Sequence, residues 1–430
     1  MYAEQAPDNA ANVIALESDP GLKLFATAGN GPIRGIHVLA GIPYVVSGTE
    51  FYSLSSTGTA TKIGGTIPGS NAVCMTANQT QIAIVTNPDA YVFTVGTGLG
   101  QITDADFPGA SSCTFMDEYG IFSRPDTGQF FISALADMTT YDALDVATAE
   151  GAPDDLVAVI AEKRQLILLG EHTGEVWFNS GDATFPFERL PNGFFERGLQ
   201  SFLAVTKEDN SVFWLGDDGL IYRLEGLTPI RISTHAVEEA IRGYSDKTAR
   251  AFTYTFGGHK FIVFRFATAT WIYDAATDRW HERETYPNKT WVGCCSAMAY
   301  GKYLVGDNDN GNIYELDGET YQDNGKTILR LFTFPPVGNG ETPQSMGAFE
   351  VEFEAGVGLT SGQGSDPQAM LRFSDDGGRT WSNQLTRDIG KIGEYENRAV
   401  WNGMGQFRRR VHEVSVSDPV KVAVIDAYGR

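Results

Sequence analysis

One motif recurs along the first three quarters of the chain and leaves few architectures open: an apolar strand, a Gly or polar turn, then a strand entered through a β-branched and aromatic pair. Its clearest copies are FWLGDDGLIYRL (213–224), YLVGDNDNGNIYEL (303–316) and LILLGEHTGEVWFN (166–179). Looser copies are YVVSGTEFYSL (44–54), IAIVTNPDAYVFTV (82–95), IFSRPDTGQFFISA (121–134) and FIVFRFATATWIYD (261–274). Each reads as strand, hairpin, strand. The equivalent aromatics Tyr52, Phe93, Phe131, Trp177, Tyr222, Tyr273 and Tyr314 recur about every 40 to 50 residues, the period of a four-stranded propeller blade. A blade cannot bury its own faces, so neighbours must stack in a ring.

The expected fold is therefore all-β, a β-propeller of about seven four-stranded blades (six to eight) over residues 22–328. Residues 1–21 read as an N-terminal arm. After about residue 328 the blade pattern breaks, and FPPVGNGETPQSMG precedes the long strands AFEVEFEAGVG, AMLRFSDDGG, RRRVHEVSVS and VKVAVIDAYG. Residues 329–430 are accordingly expected to form an additional C-terminal β section. Apolar segments such as GIHVLAG, DLVAVIAEK and AFTYTFGG precede the copies and read as outer strands. Gly48, Gly128, Gly174, Gly219 and Gly311 stand at the turns, where a positive φ is expected. One convincing helix is expected, STHAVEEAIRGY (233–244), with Ser233 or Thr234 as N-cap, linking two blades.

Composition narrows function. With 54 Asp and Glu against 32 Lys and Arg, the formal charge is -22, which argues against a groove that grips phosphates through clustered cations. An acidic wall offers a polyanion no sticking points, so DNA could pass such a surface without being clamped. Cys74, Cys113, Cys294 and Cys295 have no C-x-x-C spacing and are expected to be buried small hydrophobes. No apolar run approaches a membrane span and the first residues lack a signal-peptide pattern. Synthesis in a reducing cytoplasm is expected.

The chemical motifs are few. Ser374, Asp376, Gly378, Thr380 and Trp381 spell the S-x-D-x-G-x-T-W of an Asp box, a hairpin device in which Asp accepts turn amides and the Trp packs beneath. It supplies no catalytic group by itself, and the clustered arginines and Tyr nucleophile of a sialidase are not evident. The run GDNDNGNIYE (306–315) invites a calcium reading through Asp307 and Asp309, but Gly311 stands where a third acidic ligand is needed, so a polar turn is expected. The six histidines are scattered singly, without metal-ligand spacing. No enzyme activity, cofactor or metal is expected. Arg408, Arg409 and Arg410 form one basic run in an acidic chain, expected on alternating faces of a strand. They are candidate contacts to an acidic partner or neighbouring subunit.

Three segments carry a family resemblance: DPGLKLFATAGNGPIRGIHVLAGIPYVVSGTEFYSL, ISTHAVEEAI, and the stretch from GVGLTSGQGSDPQAMLRFSDDGGRTWSNQ to SVSDPVKVAVIDAY. Through nearly its whole length the chain resembles the podovirus tail-hub or packaged-DNA stabilisation proteins, also known as head-completion or tail-nozzle proteins. The resemblance implies a propeller-bearing virion tail subunit, commonly in a hexameric ring beneath the portal and its adaptor. Such a ring closes the head after packaging, conducts DNA at ejection without sequence-specific binding, and carries a plug, needle, fibre or spike. Relatives of this kind have further residues ahead of an NLY segment, whereas this chain starts at MYAEQAPDNAANV, so no docking role of such an arm is carried over. The competing expectation is a propeller that recognises a glycan or a protein, with an Asp-box glycosidase ranked below it.

Overall fold

The computed structural model describes residues 1–5, 14–245 and 248–430. They divide into two units, one of residues 24–278 with 290–316, the other of 1–23, 279–289 and 317–430.

The first unit is a seven-bladed β-propeller. Five four-stranded antiparallel sheets follow one another at 33–63, 74–101, 112–148, 156–195 and 205–231. A sixth is built on Arg250–Phe256, His259–Arg265 and Thr270–Asp274, and a seventh on Gly293–Ala299, Lys302–Asp307 and Asn312–Asp317. The ring is closed from the chain's start: the strand ending at Thr27 lies beside Asn312–Asp317, with Thr27 Oγ1 donating to Asn312 Oδ1 at 2.9 Å and the Ala28 N–H to the Gly311 carbonyl at 2.7 Å. All seven aromatic markers fall on third strands, where their rings fill the space between blades. Phe93, for instance, lies 5.0 Å from Tyr44 and 5.6 Å from Phe51 of the preceding blade.

The segments expected as outer strands are instead innermost. Ile33–Leu39, Cys74–Ala77, Ser112–Met116, Leu156–Glu162, Val205–Glu208, Arg250–Phe256 and Gly293–Ala299 succeed one another around the axis. Blades are apolar on both faces, so hydrophobic pattern alone does not distinguish the axial edge from the rim. At the axis a hydrogen bond crosses every seam. In ring order they are Val73 N–H to Arg34 O at 3.1 Å, Cys113 N–H to Cys74 Sγ at 3.3 Å, and Val159 N–H to Ser112 Oγ at 3.0 Å. Lys207 Nζ to Ala161 O and Ala251 N–H to Leu203 O follow, each at 2.7 Å. Ser296 Oγ to Thr253 O at 2.5 Å and Cys294 Sγ to Ile33 O at 3.3 Å complete the circuit. The cysteines are all free thiols; Cys113 and Cys294 are buried as expected, whereas Cys74 and Cys295 are only half-buried, and the Cys74 and Cys294 sulfurs also bridge seams.

The turn glycines separate into two kinds. Gly48 (φ +56°) and Gly219 (φ +77°) take the left-handed conformation as expected. Gly128, Gly174 and Gly311 do not. They are glycines because a Cβ would collide: at Gly174 with the Phe195 ring at 2.2 Å, and at Gly311 with the Gly29 carbonyl oxygen at 2.4 Å. The helix is His235–Arg242 between the fifth and sixth blades, with Thr234 at the N-cap position. Ser233 is occupied elsewhere, donating to Glu238 Oε1 at 2.7 Å and accepting from the Ile221 N–H.

The second unit is a β-sandwich. One sheet runs in the order Tyr2–Gln5, Ile14–Glu17, Ala423–Gly429, Gln344–Phe353, Ala399–Phe407, and the other Arg330–Thr333, Val411–Val416, Gln368–Ser374, Leu385–Asp388. Residues read as an arm thus supply two strands to a sheet whose other members lie beyond residue 340. Both inner faces feed one core that includes Phe349, Val351, Phe353, Leu371, Trp401 and Val414. His412 is fully buried among them, its ring stacked on Phe349 at 4.2 Å.

Burial, reinforced by the Arg410 charge, pushes the His412 pKa down to about 4, while Asp375 opposes the shift. The folded state therefore binds the proton less readily than the unfolded chain. Stability is full above about pH 6.5 and is lost as pH falls toward 4. From pH 7 to pH 5 this group should remove about 2 kcal/mol from the sandwich. His412→Phe should abolish that portion of the pH dependence in denaturant titrations, and an unchanged pH profile would contradict it.

Candidate functional site

The carboxylates of the blade hairpins are already engaged. Tyr222 donates to Asp218 at 2.6 Å, Tyr273 to Asp278 at 2.5 Å, Tyr314 to Asp307 at 2.6 Å, and Trp177 Nε1 to Glu175 at 2.7 Å. Tyr52 donates to Glu50. Five of the seven marker aromatics are thereby tied to an acid at or beside their own hairpin. Burial and these acids push the Tyr52 phenol up to about 12 and raise those of Tyr222 and Tyr273 as well, so the phenols remain proton donors. At the calcium-like run, Asp307 accepts from Asp309 N–H at 2.7 Å, Asn310 Nδ2 at 2.9 Å and Tyr314 OH. Those contacts describe a polar turn. Among the described residues no cluster of three His, Cys, Asp or Glu could hold a metal ion.

The Asp-box residues come together in the hairpin between Gln368–Ser374 and Leu385–Asp388 of the sandwich. Asp376 Oδ1 accepts the N–H groups of Arg379 and Thr380, each at 2.9 Å, and Oδ2 accepts the Thr380 hydroxyl at 2.6 Å. Ser374 Oγ donates to Asp376 at 2.7 Å and accepts from Gly378 N–H at 2.8 Å. Gly378 sits at φ +93°. The hydrogen bonds from Thr380 and Ser374 hold the Asp376 carboxyl far below the usual range, so it is a fixed acceptor and has no proton to give. Trp381 is half-buried, with the Arg372 guanidinium 4.6 Å over its ring.

The basic run lies in a bend between Ala399–Phe407 and Val411–Val416, not along a strand. Arg408 and Arg409 are exposed. Arg410 is buried and forms a two-pronged pair with Asp375, at 2.6 and 2.7 Å, while its guanidinium lies 4.0 Å from the Phe373 ring and 4.4 Å from that of Phe407. Arg410 therefore does something different from Arg408 and Arg409, which their adjacency conceals.

A family model described as bacteriophage P22 Gp10, beta-propeller, matches residues 4–321, and one described as bacteriophage P22 Gp10, beta-sandwich, matches residues 335–428. The chain belongs to this Gp10 family. The Gp10 family comprises phage structural proteins of packaged-DNA stabilisation and head completion, and membership implies incorporation into the virion. No curated protein matches the chain. Among solved structures, U3-55K is 11% identical with a TM-score of 0.47, covering 69% of this chain and 99% of its own. The Pan2 WD40 domain of Neurospora crassa is 8% identical with a TM-score of 0.46, covering 70% and 97%. The computationally designed protein Ika8 is 13% identical with a TM-score of 0.44, covering 69% and 99%.

In this Gp10-family chain the Asp box is a turn clamp on the sandwich. Because Trp381 is only half-buried, Trp381→Ala should cost about 1–2 kcal/mol, from partial apolar burial and one cation–π contact. The check is the sandwich unfolding midpoint. A cost above about 3 kcal/mol would mean the Trp is a core residue after all.

Proposed function

We propose that the chain is the repeating subunit of a ring, six-fold as in the family it resembles, at the portal vertex of a short-tailed phage. There it closes the portal or head–tail adaptor after packaging, retains the genome and conducts it at ejection. The observation that carries this reading is the match of both units, propeller and sandwich, to one packaged-DNA stabilisation family. The seams around the propeller axis are cross-linked by hydrogen bonds, and the cavities along it are only about 290 and 390 Å³, whereas the major groove of B-DNA alone is about 12 Å wide. The duplex would therefore pass between subunits, in the lumen of the ring.

A net charge of -22 per subunit suits such a lumen, since a sliding polyanion is slowed by every ion pair it must exchange. Arg408 and Arg409, exposed in their bend, are proposed contacts to an acidic neighbour, adaptor, plug, needle, fibre or spike protein. The test is genome retention. Particles assembled without this protein should release their DNA on mild warming, and purified protein added after packaging should restore retention. Retention that does not depend on the protein would refute the reading.

A further inference from the structure

Two adjoining cavities open along the propeller axis, both wholly within residues 24–278 and 290–316. The inner one, about 290 Å³, is bounded by Arg34, Thr206, Arg250 and Ser296 among others; the outer one, about 390 Å³, by Ser70, Ser201, Arg250, Arg265 and Asn308. Neither lining contains an Asp or Glu, which is conspicuous in a chain with 54 of them.

The three guanidiniums are not equivalent. Arg34 is spent on the fold, donating to the carbonyls of Gly48, Ile67, Pro68 and Asn71 at 2.6–3.0 Å. Arg265 gives its Nε to the Trp291 carbonyl at 2.8 Å. Arg250, on the wall shared by both cavities, has a buried Nη1 with no hydrogen-bond partner. Among the described residues neither Arg250 nor Arg265 forms an ion pair. They also repel: burial first, and the Arg250 charge after it, lower the pKa of Arg34, and burial with a smaller Arg250 contribution lowers that of Arg265, while Cys294, Asp309 and Asp307 oppose the shift. The Arg250 and Arg265 side chains are both half-buried, and a desolvated guanidinium N–H with no acceptor is unfavourable unless a ligand supplies one.

We propose that this axial funnel binds a small oxyanion, a phosphate or phosphate monoester, held by Arg250 and Arg265 with the Ser70, Ser201 and Asn308 side chains as neutral partners. Guanidinium forks match the geometry of phosphate oxygens, and the volumes are those of a small-ligand site and exclude nucleic acid. The ligand would neutralise the charge where five of the seven blades converge.

Titration calorimetry on the full chain, with inorganic phosphate in chloride buffer at constant ionic strength, tests this. Saturable binding at one site per chain is expected. Arg250→Gln should weaken it at least about tenfold, the loss of one charge-assisted contact, while leaving the phosphate-free protein at least as heat-stable as the parent. Arg265→Gln should weaken binding as well and decides the matter if Arg250→Gln does not fold. Absence of saturable binding at millimolar phosphate, or parental affinity in the folded Arg250→Gln or Arg265→Gln protein, would overturn the proposal.

Discussion

Trp401→Ala is expected to lower the stability of the sandwich by about 4–5 kcal/mol, near the top of the range for deleting a buried aromatic. Trp401 is fully buried in Ala399–Phe407. It packs in the shared core beside Phe349, at a ring separation of 6.3 Å, and its Nε1 donates to the Leu385 carbonyl at 2.7 Å. Truncation therefore opens a cavity and strips a hydrogen bond from Leu385, in the opposite sheet. The propeller has separate cores, so its unfolding transition should stay near the parental position while that of the sandwich moves. Denaturant titration read by near-UV circular dichroism, with limited proteolysis to assign the transitions, checks both statements. A sandwich midpoint within experimental error of the parent would contradict this view of the core.

The second large effect is expected at Arg410. Its side chain is only 4% exposed while that of its partner Asp375 is 47% exposed, so the pair is asymmetric. Arg410→Ala removes the cation from between Phe373 and Phe407 and its bond to the Met404 carbonyl, while Asp375 can return to water. A loss of about 3 kcal/mol is expected. Asp375→Ala should cost as much or more, because it leaves a buried guanidinium without its counter-charge. Arg408→Ala and Arg409→Ala, exposed in the bend, should each change stability by no more than about 0.5 kcal/mol. Four midpoints measured side by side check the contrast. Equal, small effects at all three arginines would contradict the division drawn between them.

The blades were legible because their period is repeated. Each copy carries an aromatic on the third strand and a polar turn before it, and seven copies at a blade's spacing leave little choice of fold. What lay hidden has no local signal. The pattern in GIHVLAG is apolar on both faces whether the strand is at the axis or the rim, so it cannot tell an innermost strand from an outer one. Gly174 and Gly311 look like turn glycines, yet they answer to Phe195 and to the Gly29 backbone, which only the folded chain brings near. The Asp box was readable because its hydrogen bonds close within five residues of Ser374 and Asp376. Arg410 was not, since Asp375 lies 35 positions earlier. The axial arginines are more remote still: Arg34 and Arg250 meet only when the first and sixth blades are in place.

This Gp10-family chain is proposed to work as a ring around DNA and not as a lone propeller. Electron microscopy of the purified protein mixed with its portal and adaptor, paired with native mass measurement, tests that claim most directly. A closed ring of one uniform subunit number is expected, with DNA-sized space at its centre bounded by several propellers. A protein that remains monomeric and ignores the portal and adaptor at micromolar concentration would contradict it.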